Sequence, residues 1–298
     1  MRVEEVYIAQ SDLIPRLERE WRAGVWNVGV INLSRPESYA FLPEGSLISY
    51  VPPEYRDKYP QEYQEPVFYT ARTLRGWIYN PDLSPDGPPF QSLWDLTTEK
   101  FRGKIVLEDP LNSSDLELQL ITIVANADAL AADYEARFGE PLKLREKNAG
   151  YEWLRRLLEN QPRITRSWRE NMEIVTNSKE IVVADAQTIR MANVVDGTYN
   201  AMVAKGITPV DTQAGYRWYA IGAFNKSPNA AKLFIKTMLT EEAGAVFYEQ
   251  GFLSTDPEWR PTVEWMEMLL DLTYWDPDPE FVLEHGPEVI DFWLMYAP

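Results

Sequence analysis

Apolar residues along the chain occur in two patterns: short unbroken runs, and stretches where they recur every three or four positions. Runs such as Ile105-Val106-Leu107 and Ile181-Val182-Val183 predict buried strands. The spacing of Trp153, Leu154, Leu157 and Leu158 predicts an amphipathic helix, stopped by Gln161-Pro162. On this basis strands are expected over 3–8, 26–31, 73–79, 105–107, 163–165, 181–183, 207–210 and 216–224. Helices are expected over 11–21, around 39–41, at 92–96, 114–125, 127–138 and 148–160, from 167, and from 187 to about 205. Two more follow, one capped by Ser227 with Pro228 at its first position and one starting at Thr240. Such alternation of strands and helices predicts an α/β protein with mainly parallel sheets.

Within this pattern one unit repeats: an apolar strand, small polar residues, then a helix start. It occurs at Gln10-Ser11-Asp12, between Asn32 and Ser34, at Asn112-Ser113-Ser114, and more loosely between Asp185 and Gln187. In KIVLEDPLNSSDLELQL (104–120), Asp109-Pro110 is a turn signal, and Ser114 with Glu117 reads as a capping box. Ser167 and Glu170 read as a second box. A helix start offers unpaired N–H groups and the positive end of the helix dipole. In open α/β sheets ligands sit at such ends. A single unit of this kind is accounted for by serines capping their own helix; several suggest helix starts converging on a cleft.

Composition narrows the function. The length suits about two domains of ~150 residues each. With 46 acidic against 29 basic residues, the formal charge of −17 argues against nucleic acid, which Lys and Arg must neutralise. No cysteine is present, which removes disulfides, thiolate nucleophiles and Cys-based metal sites. The one histidine, His285, reads as a surface-turn residue and could not by itself make a two-histidine metal site. WDPDPE (275–280) spaces carboxylates among prolines, which read as extended and solvated. No G-x-S-x-G, P-loop or G-x-G-x-x-G motif occurs. No apolar run is long enough for a transmembrane helix, and MRVEEVYIAQ lacks the apolar core of a signal peptide. The chain reads as one that holds something rather than transforms it.

Three blocks carry a likeness: GWIYNPDL (76–83), SLWDLTTEKFRGKIVLEDPLNSS (92–114) and NKSPNAAKLFIKTMLTEEAGAVFYEQG (225–251). Together they resemble the type 2 periplasmic solute-binding proteins of ABC importers, in the branch of iron(III)-binding and family 1 extracellular solute-binding proteins. The resemblance covers most of residues 5–255. It implies two α/β lobes, lobe 1 from 1–83 and 216–298 and lobe 2 from 84–215. These would be joined by crossings near 80–100 and 212–220, with a solute held between the lobes by hinge closure. The implied partners are a small-molecule solute and the membrane subunits of an importer. The implied setting is the periplasm or cell surface, as a monomer with no cofactor and no catalytic residue. The family begins with a further strand and helix, so Met1-Arg2-Val3 corresponds to its second strand.

Carried over residue by residue, the likeness assigns Ser11 and Asp12 to one first-lobe binding loop and Asn32 and Ser34 to the next. Asn112, Ser113 and Ser114 fall on the second-lobe loop, with Trp168 and Gln187 at the following helix starts. Arg72 or Arg217, beside the crossings, would supply a counter-charge to an anion. Iron-binding members have adjacent tyrosines after a second-lobe strand, where this chain reads Asp185-Ala186-Gln187-Thr188. Ferric iron favours phenolate and carboxylate oxygens, so a small organic anion or other polar solute is expected ahead of iron. Three alternatives stand beside this reading: a ferric-binding member, a ligand-sensing domain of a signalling protein, and a glycosidase using carboxylates alone.

Overall fold

A computed structural model describes residues 4–6, 8, 10–25, 28–34, 41–261 and 263–297. In chain order the first elements are α1 (Gln10–Arg22), β1 (Val30–Leu33), β2 (Leu47–Ser49), β3 (Tyr69–Tyr79) and β4 (Ile105–Glu108). There follow α2 (Ser114–Ala125), α3 (Ala127–Phe138), α4 (Ala149–Glu159), β5 (Arg163–Thr165), α5 (Trp168–Asn177), β6 (Val183–Gln187) and α6 (Met191–Val195). Next come β7 (Met202–Val203), β8 (Thr212–Gly222), α7 (Pro228–Met238), α8 (Glu241–Tyr248) and β9 (Leu253–Ser254). The chain ends with α9 (Glu267–Leu270), β10 (Tyr274–Trp275) and α10 (Pro279–Tyr296). No helix among the described residues is long and apolar enough to cross a membrane.

The contacts divide the chain into two units. Unit 1 comprises Met1–Thr73 and Tyr216–Glu264, and unit 2 comprises Leu74–Gly215 and Trp265–Pro298. The chain passes from one to the other inside β3 and inside β8. In unit 1, β1 and β2 both pair antiparallel with the end of β8, and β9 pairs antiparallel with the start of β3. Tyr219 and Ile221 on β8 pack with Ala231 and Ile235 on α7. Trp21 of α1 stacks on Phe224 with ring centroids 5.4 Å apart.

In unit 2, β3 runs antiparallel to β6, β6 parallel to β4, and β4 parallel to β5. Its core gathers Trp77, Trp94, Trp153 and the apolar faces of α2 and α4. These two helices meet where a side chain on Gly150 would lie 2.5 Å from Val124 Cα, so a hydrogen there permits the approach. Beyond the carboxyl ends of the parallel strands β4 and β5 the chain enters α2 and α5, and beyond β6 a single turn leads into α6. One edge of unit 2 therefore collects three helix starts.

The structure corrects several expectations. Pairing is mixed rather than mainly parallel, because β3 meets β6, β7 and β9 antiparallel and β8 meets β1 and β2 the same way. Residues 207–210 form no strand: Asp211 Oδ1 accepts from Ile207 N at 2.7 Å, closing a turn that leaves only a bridge from Ser92 to Thr208. The helix expected to 205 ends at Val195, where Gly197 adopts φ +81° and Asp196 accepts from Thr198 N at 2.9 Å. The capping residue of α2 is Ser113, not Ser114, and Ser227 makes no side-chain cap bond. His285 lies within α10 against Phe281, with ring centroids 4.6 Å apart, and not in a turn.

Asp278 of the WDPDPE segment caps α10 by accepting from Glu280 N and Phe281 N. The contacts place Trp265–Pro298 in unit 2 because Val282, Val289 and Trp293 of α10 are buried in its core against α2 and α4. Leu74 to Leu83 also falls in unit 2, so the first changeover precedes the expected 80–100. Of the strand expected over 3–8, residues 4–6 and 8 are described and form no strand, while 3 and 7 lie outside the described residues; of the helix around 39–41, residues 39 and 40 lie outside them. The strand expected from 26 is seen from Val30, with 26–27 also outside them.

Candidate functional site

Unit 2 holds a buried polar cluster at the carboxyl ends of β4 and β6. Arg75 on β3 stands directly opposite Gln187 on β6, so both side chains leave the same face of the sheet. Asp185, two residues back on β6, shares that face by strand alternation. Arg75 Nη2 donates to Glu108 Oε2 at 2.6 Å and to Asp185 Oδ2. Asp185 Oδ1 also accepts from the Glu108 backbone N–H at 3.0 Å and from Asn171 Nδ2 at 3.2 Å. Asn171 accepts in turn from the Thr165 hydroxyl at 2.5 Å, tying α5 to β5 and β6. Arg75, Glu108, Asp185 and Asn171 are all buried.

A buried ion must be paired, and here the pairing sets the protonation. Burial alone would lower the Arg75 value, but Asp185 and Glu108 beside it hold it above its ordinary range. Burial pushes Asp185 up, and Glu108 adds to that, against the pull of Arg75. Glu108 Oε2 also accepts from the Ser113 hydroxyl at 3.2 Å, and Ser113 Oγ accepts from Leu116 N at 3.4 Å as the cap of α2. The ion cluster thus fixes the start of α2.

Arg190, one turn beyond β6, faces this cluster. Its guanidinium carbon lies 3.9 Å from the centroid of the Trp168 ring, and Arg169 lies over the same ring at 4.5 Å. Such cation–π contacts hold a guanidinium plane in place. Arg190 Nη2 donates to Gln187 Oε1 at 3.4 Å. Among the described residues no carboxylate lies within ion-pair distance of Arg190; Asp115 and Glu108 act on it through space. Burial pushes it down to about 10, which leaves it charged at neutral pH.

Three N–H donors here are buried without an acceptor: Arg75 Nε, Gln187 Nε2 and Arg190 Nε. Gln187 is only 5% exposed. A buried unmet donor costs about 1–3 kcal/mol, and three of them in one neighbourhood make a surplus suited to an oxyanion.

Of the residues expected from sequence, Trp168 and Gln187 therefore meet in unit 2, around an arginine that was not foreseen. Ser113 joins them through Glu108. Asn112 is exposed and its amide is taken by Asp109 at 3.0 Å, while Ser114 is the first residue of α2. Trp168 opens α5, whose cap is Ser167 accepting from Glu170 N at 3.4 Å; Glu170 Oε2 accepts from Arg166 N at 3.2 Å and does not close the expected box.

The remaining residues lie in unit 1. Ser11 and Asp12 sit within the first turn of α1 and not in a loop ahead of it, with Asp12 exposed. Asn32 on β1 bonds to the Tyr219 phenol, and Ser34 follows the strand, half-buried. Arg217, two residues before Tyr219 on β8, lies 5.9 Å from the Phe252 centroid. Arg72 on β3 donates to the Tyr63 hydroxyl at 3.5 Å. The signal for the missed residues was present: Arg75 in TLRGWIY and Asp185 in IVVADAQ are single charges inside apolar strands, and such charges need partners.

No protein-family model and no curated protein sequence matches the chain. Solved structures do. A ferric binding protein from Campylobacter jejuni superposes with a TM-score of 0.76 at 16% identity, covering 99% of this chain and 91% of that one. The apo ferric ion-binding protein A of Pasteurella haemolytica gives 0.75 at 11% identity, over 97% and 88%. An ABC transporter structure from Clostridium perfringens gives 0.65 at 14% identity, over 96% and 88%. The fold is that of the two-lobed periplasmic binding proteins.

Proposed function

We propose that this chain is a solute-binding protein that captures a small polar or anionic solute and delivers it to the membrane subunits of an ABC-type importer. It would work in the periplasm or at the cell surface. The observation that carries the reading is the surplus of buried N–H donors formed by Arg75, Gln187 and Arg190, on a fold whose solved examples include binding proteins. Donors without acceptors await an acceptor from outside. Capture of this kind requires no bond making, and the cluster needs no nucleophile to perform it.

Ferric iron, bound by two of the compared proteins according to their names, fits this cluster poorly. A cation needs free acceptor oxygens. Here Asp185 is fully buried on Arg75 and Glu108 is shared by Arg75 and Ser113, which leaves Asp115 beside three unmet donors, and among the described residues no three carboxylates come together to hold a metal ion. The experiment is a thermal-shift screen of the whole chain against organic anions, phosphate, sugars and ferric citrate. A ligand at ~100 times its dissociation constant adds about 2.7 kcal/mol of stability. A shift with any one class supports capture. No shift with any of them, alongside hydrolysis of a glycoside, overturns it.

A further inference from the structure

Resting on that reading, we infer that the solute presents a single carboxylate to Arg190, with the Gln187 amide beside it, and that Asp115 and Glu108 turn away a phosphate dianion. Arg190 is a planar fork with a buried unpartnered Nε, pinned on one side by the Trp168 ring. A guanidinium pairs with a carboxylate through two parallel N–H bonds. Gln187 Nε2, buried and unpartnered, stands next to it and offers a further donor. Arg75 offers only its Nε, because Glu108 and Asp185 already hold its Nη2.

Charge decides between anions. The cations in this neighbourhood are Arg75, Arg169 and Arg190, and the carboxylates are Glu108, Asp115 and Asp185. With all ionised they balance, so an anion here is held by its contact with the Arg190 guanidinium and not by any net positive charge. Asp115, in the first turn of α2, has no ion-pair partner among the described residues and acts on both Arg75 and Arg190. An anion at Arg190 gains from that guanidinium, but an additional charge on it meets Asp115 and Glu108, and like charges in a desolvated site repel strongly.

The test uses the full chain and three probes, acetate, inorganic phosphate and glucose, in mildly alkaline buffer where phosphate is mainly the dianion, at equal ionic strength with chloride as the control. Melting temperature and calorimetric titration are read for the wild type and for Arg190→Gln, Arg190→Lys and Asp115→Asn. Far-UV circular dichroism and the ligand-free melting temperature report folding. Acetate is expected to stabilise the wild type while phosphate does not. Arg190→Gln should lose the acetate response, and Arg190→Lys should keep part of it, since a point charge lacks the fork. Asp115→Asn should bind phosphate about tenfold or more tighter than the wild type does. An equal or larger phosphate response in the wild type, or an acetate response unchanged in folded Arg190→Gln, overturns the inference. A response to glucose alone overturns it and leaves solute capture standing. A response to none of these probes overturns the inference, and solute capture with it where a glycoside is also hydrolysed.

Discussion

Arg75 and Glu108, 5% and 8% exposed, share a 2.6 Å hydrogen bond across unit 2, joining β3 to the end of β4. The pair is worth little more than its apolar replacement, because both ions had to leave water. Breaking it from one side is another matter. Arg75→Met strands Glu108 and Asp185 as buried carboxylates and is expected to cost about 3–5 kcal/mol in urea unfolding. A double variant, Arg75→Met with Glu108→Leu, should recover part of that loss. A single-variant loss below about 1 kcal/mol contradicts the pairing.

Asp185 sets a pH dependence of known sign. Its folded value is raised, chiefly by burial. Between the unfolded aspartate value, about 3.9, and the folded one, the native state binds more protons than the unfolded state. Stability therefore falls as pH rises through that window and levels off above it. Urea unfolding at a series of pH values should show the wild type losing ground to Asp185→Asn across the window. Glu152 works in the opposite sense. Burial alone would raise it, but the Arg145 backbone N–H and the guanidinium groups of Arg156 and Arg155 hold it below its usual range. Its contribution is lost as pH falls through that lowered value, so Glu152→Gln should cost least in acid.

What the sequence disclosed follows from where its signals are local. The helices α2 to α4 were legible within a residue at either end, because apolar periodicity and a clear stop such as Gln161-Pro162 act within a few positions. β6 was expected from Ile181, ending at Asp185 to Gln187, but it starts at Val183 and keeps Asp185 and Gln187 within the strand, where their bonds to Arg75 and Arg190 let them be buried. Arg190 carries no sequence signal, since its role depends on Trp168 coming to it from α5. Residues at helix starts were legible as a class, while the arginines that answer them were not.

Trp168 is expected to act by holding Arg190. Trp168→Ala removes a ring 3.9 Å from the guanidinium carbon and with it a contact worth about 0.5–2 kcal/mol. The acetate response in a thermal-shift assay should fall several-fold in this variant. Trp168→Phe, which keeps an aromatic face, should retain most of it. An unchanged response in the alanine variant contradicts the role.

The cap of α2 separates two adjacent serines. Ser113 accepts from Leu116 N and donates to Glu108, while Ser114 is the first residue of the helix. Ser113→Ala should cost about 1 kcal/mol or more, combining a lost cap with a lost bond to a buried carboxylate. Ser114→Ala should stay within about 0.5 kcal/mol. Chemical unfolding of the two variants side by side reads the difference, and equal losses would return the cap to Ser114.

The C-terminal helix offers a test of how the chain is divided. Trp293 is 2% exposed, within the same core as Trp94, Trp153 and the apolar faces of α2 and α4. A Trp→Ala change in a packed core costs about 3–5 kcal/mol, since it removes apolar contact and leaves a cavity that the surroundings only partly fill. The loss should be local to unit 2. Amide hydrogen exchange in Trp293→Ala is expected to quicken in α2 and α4, whose packing depends on α10, while α7 of unit 1 keeps its protection. If α7 lost protection and α2 kept it, the segment after Glu264 would belong with unit 1.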